Sequence, residues 1–164
     1  MICLSREACW LLTKKEKFDI VIIDCPPRVT TGVIQALCAA THIIIPTILD
    51  RPSAEAVVSF CDELETLKKN DICPKLTYVG IVGTMVSPNA ISPAERGAKD
   101  VIRTVLKDKG ISIGLLDDEH FVRKSTAFTN NADEGIAYLV MGNARRQTEI
   151  KETVGSLAEY VASQ

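Results

Sequence analysis

Nowhere in the 164 residues is a glycine followed directly by lysine. A glycine-rich phosphate loop needs that pair, because a nest of backbone N–H groups and the lysine together cradle the phosphates. The chain therefore contains no such loop. Aromatic residues are also scarce, at 5% of the sequence, too few for a platform on which nucleic acid bases would stack. There are two histidines and six cysteines, Cys3, Cys9, Cys25, Cys38, Cys61 and Cys73, and no two cysteines stand as C-x-x-C. That excludes a zinc module. The set reads as reduced, cytoplasmic thiols, with Cys25 and Cys38 acting as small hydrophobes; a redox pair is the alternative. No apolar run reaches 18 residues, so no membrane span is expected, and Glu7 ahead of Trp10-Leu11-Leu12 breaks a signal-peptide layout. The formal charge of −2 excludes a generally basic DNA-coating protein. Any DNA contact would have to come from a local basic patch.

What the chain does have is order. Residues 4 to 16 read as a helix, with Ala8, Leu11 and Leu12 on one side. Ile20-Val21-Ile22-Ile23 follows, a β-branched run stopping at Asp24. Continuous rather than alternating apolarity is the pattern of a parallel strand buried on both faces. Thr31 to Ala40 reads as a helix, His42 to Ile45 as a second buried strand ended by Pro46, and Ser53 to Lys69 as an amphipathic helix. A third strand lies within Leu76 to Val86. Ser92-Pro93-Ala94-Glu95 is a capping box with proline at the first helical position, and Gly110 ends the helix it opens. Ile111 to Leu116 reads as a fourth strand and residues 119 to 128 as a short helix. Asn130, Asn131 and Gly135 mark a turn, Tyr138 to Val140 reads as a short strand, and residues 143 to 162 as a closing helix. Strands alternating with helices predict right-handed crossovers, a mainly parallel sheet and a single α/β domain over residues 1–164.

In open parallel sheets ligands bind beyond the carboxyl ends of the strands. The residues there, after Ile23, are Asp24-Cys25-Pro26-Pro27. An aspartate after four aliphatics has the layout of a Walker B element, whose carboxylate reaches a magnesium ion, usually through water. The bland alternative is an aspartate that ends the strand or caps the next helix.

The stretch Phe18-Asp19-Ile20-Val21-Ile22-Ile23-Asp24-Cys25-Pro26-Pro27 resembles the Walker B segment of the ParA/MinD (deviant Walker A) ATPases. The resemblance continues in order through Ala39-Ala40-Thr41-His42-Ile43-Ile44-Ile45-Pro46, Gly80-Ile81-Val82-Gly83-Thr84-Met85, Phe121-Val122-Arg123, Ala127-Phe128 and Gly135. It implies a three-layer P-loop-NTPase-like α/β fold whose N-terminal portion, with the Walker A loop, is missing. It further implies ATP and Mg2+ as cofactors, with Asp24 as the catalytic, magnesium-side carboxylate. Pro26 and Pro27 would form a switch turn, and Thr84 and Met85 part of the base-side wall. The implied activity is plasmid or chromosome partitioning by ATP-dependent dimerisation and non-specific DNA binding. The implied partners are a second copy and a centromere-binding partition protein on the nucleoid. The tail from Glu152 to Gln164 carries no basic residue, unlike a membrane-binding amphipathic helix, so no membrane is expected.

Where relatives often carry a base-contacting proline, this chain has Leu115-Leu116-Asp117-Asp118; the two aspartates either cap the next helix or approach the adenine or ribose edge. Asp50 either caps the following helix or lies near the nucleotide; Thr30 and Thr31 either cap or sense the γ-phosphate. Arg123, Lys124, Arg145, Arg146 and Lys151 form the candidate DNA patch, the alternative being a solvated helix face. With the phosphate loop absent, the isolated chain is expected to be inactive, or to be a non-enzymatic interaction module. An orphaned apolar surface is expected near Trp10, driving self-association.

Overall fold

The structure, a computed structural model, describes residues 2–5, 20–26, 28–125 and 144–163. Five strands, β1 (Ile2–Ser5), β2 (Val21–Asp24), β3 (His42–Ile48), β4 (Thr77–Val86) and β5 (Val122–Arg123), form one sheet in the order β2-β1-β3-β4-β5. Helices α1 (Thr31–Ala39), α2 (Arg51–Lys69) and α3 (Pro93–Asp108) join successive strands from β2 onwards, and α4 (Ala144–Ala162) follows β5. The three crossovers all step the same way across the sheet, and right-handed connections then put α1, α2 and α3 on one face. The α/β class, and the order of elements from β2 to α3, are as the sequence predicts.

The centre is the parallel ladder of β3 and β4, registered from His42↔Thr77 to Ile48↔Thr84. Ile43, Ile45 and Ile81 are buried on one face of this ladder and Ile44 and Val82 on the other, in one core cluster with Val33 and Leu37 of α1, Val57 and Leu64 of α2, and Ile102 of α3. Each such aliphatic side chain contributes about 1.5–3 kcal/mol when fully buried. Both long helices on this face end alike. Ile72 N–H bonds Leu67 O and Asp71 N–H bonds Lys68 O after α2; Ile111 bonds Leu106 and Gly110 bonds Lys107 after α3. These are Schellman closures. The left-handed position is Gly110 at φ 63° in one and Asp71 at φ 61° in the other.

Several expectations are corrected. Leu4 and Ser5 lie in a strand, not at the start of a helix, and β1 runs antiparallel to both its neighbours, so the sheet is parallel only from β3 to β5. β1 and β2 are consecutive in the chain, and neighbours of that kind pair antiparallel without a crossover. Residues 6–19, with Trp10, lie outside the described residues. Pro46 does not end β3. Thr41 O accepts from Thr77 N–H, so alternate backbone groups from Thr41 onwards face β4, whereas Pro46 N faces the other way, past the end of β1, where no ladder bond is lost. The fourth strand is reduced to a single parallel bridge, Ile81↔Leu115, and the helix expected over 119–128 is a 3-10 turn, η1 (Asp118–His120), leading into β5. Ile20 and Ile22 are 56% and 65% exposed, so that strand is not buried on both faces. The turn and strand expected between Ala127 and Val140 lie outside the described residues.

Gly80 is required where it stands. The register slips beside it, with Ile43 opposite Tyr78 and Ile44 opposite Gly80, and Gly80 takes φ 147°. A Cβ there would meet Leu116 Cδ2 at 2.5 Å and Gly114 O at 3.2 Å. Gly80→Ala should therefore lower stability by about 2–4 kcal/mol, through backbone strain and overpacking. Urea unfolding should show a lower midpoint with an unchanged slope.

Candidate functional site

All strands but β1 point their carboxyl ends to one edge of the sheet, and the predicted site residues gather there by element rather than by contact. Asp24 ends β2, exposed, in register through Ile2 with Ile44. β3 runs on to Ile48, whose partner is Thr84. Four more residues of strand make a step of about 13 Å, and three strand spacings separate β2 from β4 by about 14 Å laterally. A groove of about 300 Å³ lies in the step, lined by Ile45 to Ile48 on β3 and by Ser53, Ala56, Val57 and Phe60 on α2. Pro26 is exposed beside Asp24; Pro27 lies outside the described residues.

At the far side, Thr84 donates its hydroxyl to Thr47 O at 3.1 Å. Met85 is an extra residue between the pairs Thr84↔Val122 and Val86↔Arg123, at φ 56° and 57% exposed. A left-handed methionine costs about 1–2 kcal/mol, and such outliers collect at functional positions. Asp117 is exposed at the head of η1 and makes no side-chain capping bond, whereas Asp118 pairs with Lys99 of α3. Lys99 is buried, its ammonium 5.5 Å from the Phe121 ring centroid, so it ties the Asp117 loop to α3. The sequence offers little warning of this pair, since Lys99 lies beside the inward Ala98 in an otherwise charged stretch.

The helix N-termini at this edge are already satisfied by their own side chains. Thr30 accepts from Val33 N–H at 3.3 Å and Asp50 from Ser53 N–H at 2.8 Å. That bond holds the Asp50 carboxyl below its usual range. Ser92 and Glu95 close the capping box of α3, and Glu95 also accepts from Ser87 N–H and Oγ. The capping readings of Asp50 and Thr30 are therefore what the geometry displays.

Arg123 donates to Ser87 O at 2.9 Å and Pro88 O at 3.2 Å, so from β5 it clamps the same loop that Glu95 holds from α3. Lys124 and Lys151 are exposed. Arg145 and Arg146 fall in the first turn of α4, where there is no acidic residue and the helix dipole disfavours cations. α4 packs on β5 and η1, with the His120 ring 4.6 Å from the Tyr160 ring and its Nδ1 2.9 Å from Ser156 Oγ.

The described residues fit a nucleotide in part. Asp24 suits a metal-bound water, and Thr84, Met85 and Asp117 suit the wall beside a base. The N-termini of α1, α2 and α3 each have their capping position filled, and no glycine-lysine pair exists for the phosphates. The phosphate end does not fit this chain alone, and no hydrolytic step is assigned to it.

Glu95 offers a pH test of the loop after β4. Burial works to raise its carboxyl, but hydrogen bonds from Ser92 and Ser87 outweigh that and hold it at about 2, against an ordinary 4.5. A depressed carboxyl contributes stability that is full above the unfolded value and is lost as pH falls through the folded one. The thermal midpoint of the wild type should exceed that of Glu95→Gln by a constant margin above about pH 5, and the margin should shrink between 4.5 and about 2.

Comparisons with known proteins bear on the whole edge. Residues 9–78 match the family model of an AAA domain. The chain is 32% identical over 82 residues to an uncharacterized protein of Methanocaldococcus jannaschii, covering 50% of this chain and 32% of that protein. It is 25% identical over 153 residues to a ParA family protein of Mycoplasma pneumoniae, covering 88% and 52%. It is also 29% identical over 72 residues to the chromosome-partitioning ATPase Soj of Thermus thermophilus, covering 44% and 28%. The chain spans about half the length, or less, of these relatives. Its fold is similar to that of apo McdA, at a TM-score of 0.66 and 15% identity over 85% of this chain and 51% of the other. A variant of Cyanothece McdA in complex with ATP gives 0.63 and 16% over 85% and 50%. Motif, relatives and fold agree in supporting a resemblance of this chain to the ParA/MinD-type partition ATPases.

Proposed function

We propose that this chain contributes the metal-side carboxylate and the base-side wall of a ParA-like nucleotide switch that drives plasmid or chromosome partitioning. The observation that carries the reading is Asp24, exposed at the carboxyl end of β2 in its Asp-Cys-Pro-Pro segment, on the same sheet edge as Thr84, Met85 and Asp117. The ligand is ATP with Mg2+, as the ATP complex of the McdA variant supports. Asp24 would hold the metal through water, and the segment from Pro26 onwards would link its occupancy to α1. Nucleotide-dependent pairing with a second copy creates the DNA-binding form, and a centromere-binding protein is the partner that reads it. The fold alone, without turnover, is the second reading. It is favoured by the self-capped helix N-termini at the edge.

DNA is bound without sequence preference through Lys124, Arg145, Arg146 and Lys151, with Arg123 holding the loop behind them. Cations in the first turn of a helix cost a few tenths of a kcal/mol, which argues for a use other than stability. Among the described residues no helix is long and apolar enough to cross a membrane.

The isolated chain should show no ATP hydrolysis above background in a phosphate-release assay, because the phosphates have no cradle. Turnover that disappears in Asp24→Ala would overturn this and require a phosphate site elsewhere in the chain.

Duplex DNA binding, measured by fluorescence anisotropy across a salt series, should fall steeply with salt and differ little between sequences. The double variant Arg145→Glu, Arg146→Glu should weaken it about tenfold or more on every sequence and flatten the salt slope. Unchanged binding would place the DNA face elsewhere.

A further inference from the structure

The edge of the sheet opposite the candidate site carries two thiols that this function does not use. Cys38 stands in the last turn of α1 and is exposed; Cys73 lies in the turn between α2 and β4 and is buried. Both line a cleft of about 260 Å³ together with Ile72, Pro74 and Lys75. Cys38 Sγ donates to the carbonyl oxygen of Ile72 at 2.9 Å. Across a planar trans peptide that oxygen is about 2.8 Å from the Cα of the next residue. Cys38 Sγ therefore lies within roughly 6 Å of Cys73 Cα, so rotation about the two side chains, with a small shift of the exposed end of α1, can bring the sulfurs to bonding distance.

We propose that Cys38 and Cys73 form a reversible disulfide that staples α1 to the α2–β4 turn, made and broken by exchange with a low-molecular-weight disulfide such as glutathione disulfide. The Cys38 thiolate, the accessible one, attacks a glutathione disulfide sulfur. A mixed disulfide forms and one glutathione leaves as its thiolate. The Cys73 thiolate then attacks the Cys38 sulfur, and the second glutathione leaves. The protein gives up two electrons and two protons, and glutathione disulfide becomes two molecules of glutathione. The order of attack follows from access and charge. Burial, then the neighbouring Cys38, raise the Cys73 thiol, with Lys68 opposing. Cys61 does not compete, since burial and Glu65 push it up to about 12. α1 is the element that follows the Asp24 turn, so the staple holds the metal-side strand connection from below.

The test incubates the full chain in glutathione buffers of stepped redox poise, quenches with acid and alkylating agent, and maps peptides by mass spectrometry without reduction. The expected product joins the Cys38 and Cys73 peptides and reverts in reduced glutathione. It should raise the thermal midpoint by roughly 5–10 °C, a rise absent from Cys38→Ser and from Cys73→Ser. Cys38→Ser, at an exposed site, guards against misreading a folding defect. Three results each overturn the proposal: a glutathione adduct on Cys38 with Cys73 still free, a cross-link running to Cys3 or Cys9 instead, or an unmodified pair at the most oxidising poise.

Discussion

The pairing of β3 with β4 organises everything else. It is the longest ladder in the sheet, seven registered pairs, and it carries both buried faces of the core. Its one irregularity, the slip at Val79 with Gly80 turned to φ 147°, opens the space into which Leu116 and Gly114 fit. Through that contact the segment before η1 is bonded to Ile81, by Gly114 O below and Leu116 N–H above. The Asp117 loop, η1 and β5 then have only one way to continue. Parallel pairing puts the ends of β3 and β4 at one edge, and β1, antiparallel to both β2 and β3, brings the end of β2 to the same edge.

At that edge the side chains divide into those already committed to the fold and those left over. Thr30, Asp50, Ser92 and Glu95 satisfy helix N-termini, Thr84 binds Thr47 O, and Arg123 and Glu95 hold the loop after β4 from two sides. Asp24, Met85 and Asp117 remain exposed. Helix N-terminal N–H groups bind anions when nothing nearer claims them; here their own caps claim them. The edge thus leaves Asp24, Met85 and Asp117 uncommitted while the N-termini of α1, α2 and α3 are taken by their own caps.

Much of this was legible in the residues. Unbroken β-branched runs mark strands, so β2, β3 and β4 are legible, and Asp24 with them, although β2 is not buried on both faces. Caps are equally local: Asp50 to Ser53 and Ser92 to Glu95 need only a few consecutive residues. Gly110 ends α3 because the left-handed closing position suits a residue without Cβ. The family resemblance rested on the same short segments.

Other features depend on what lies across the sheet. Pro46 looks like a stop, and only the end of β1 at the level of Ile44 makes its missing N–H harmless. Lys99 looks like one more helix cation until Asp118 and Phe121 enclose it, and Arg123 looks like a DNA contact until Ser87 and Pro88 offer their carbonyls. Cys38 and Cys73 are 35 positions apart, and the meeting of two turns at one edge makes them neighbours. By itself the sequence determined the elements, their caps and the strand-end aspartate, because hydrophobic period and capping act over a few residues. Only the tertiary structure decided strand order, the sense of β1 and the partners of the charged side chains, because those are settled by groups far apart in the chain competing for the same buried space.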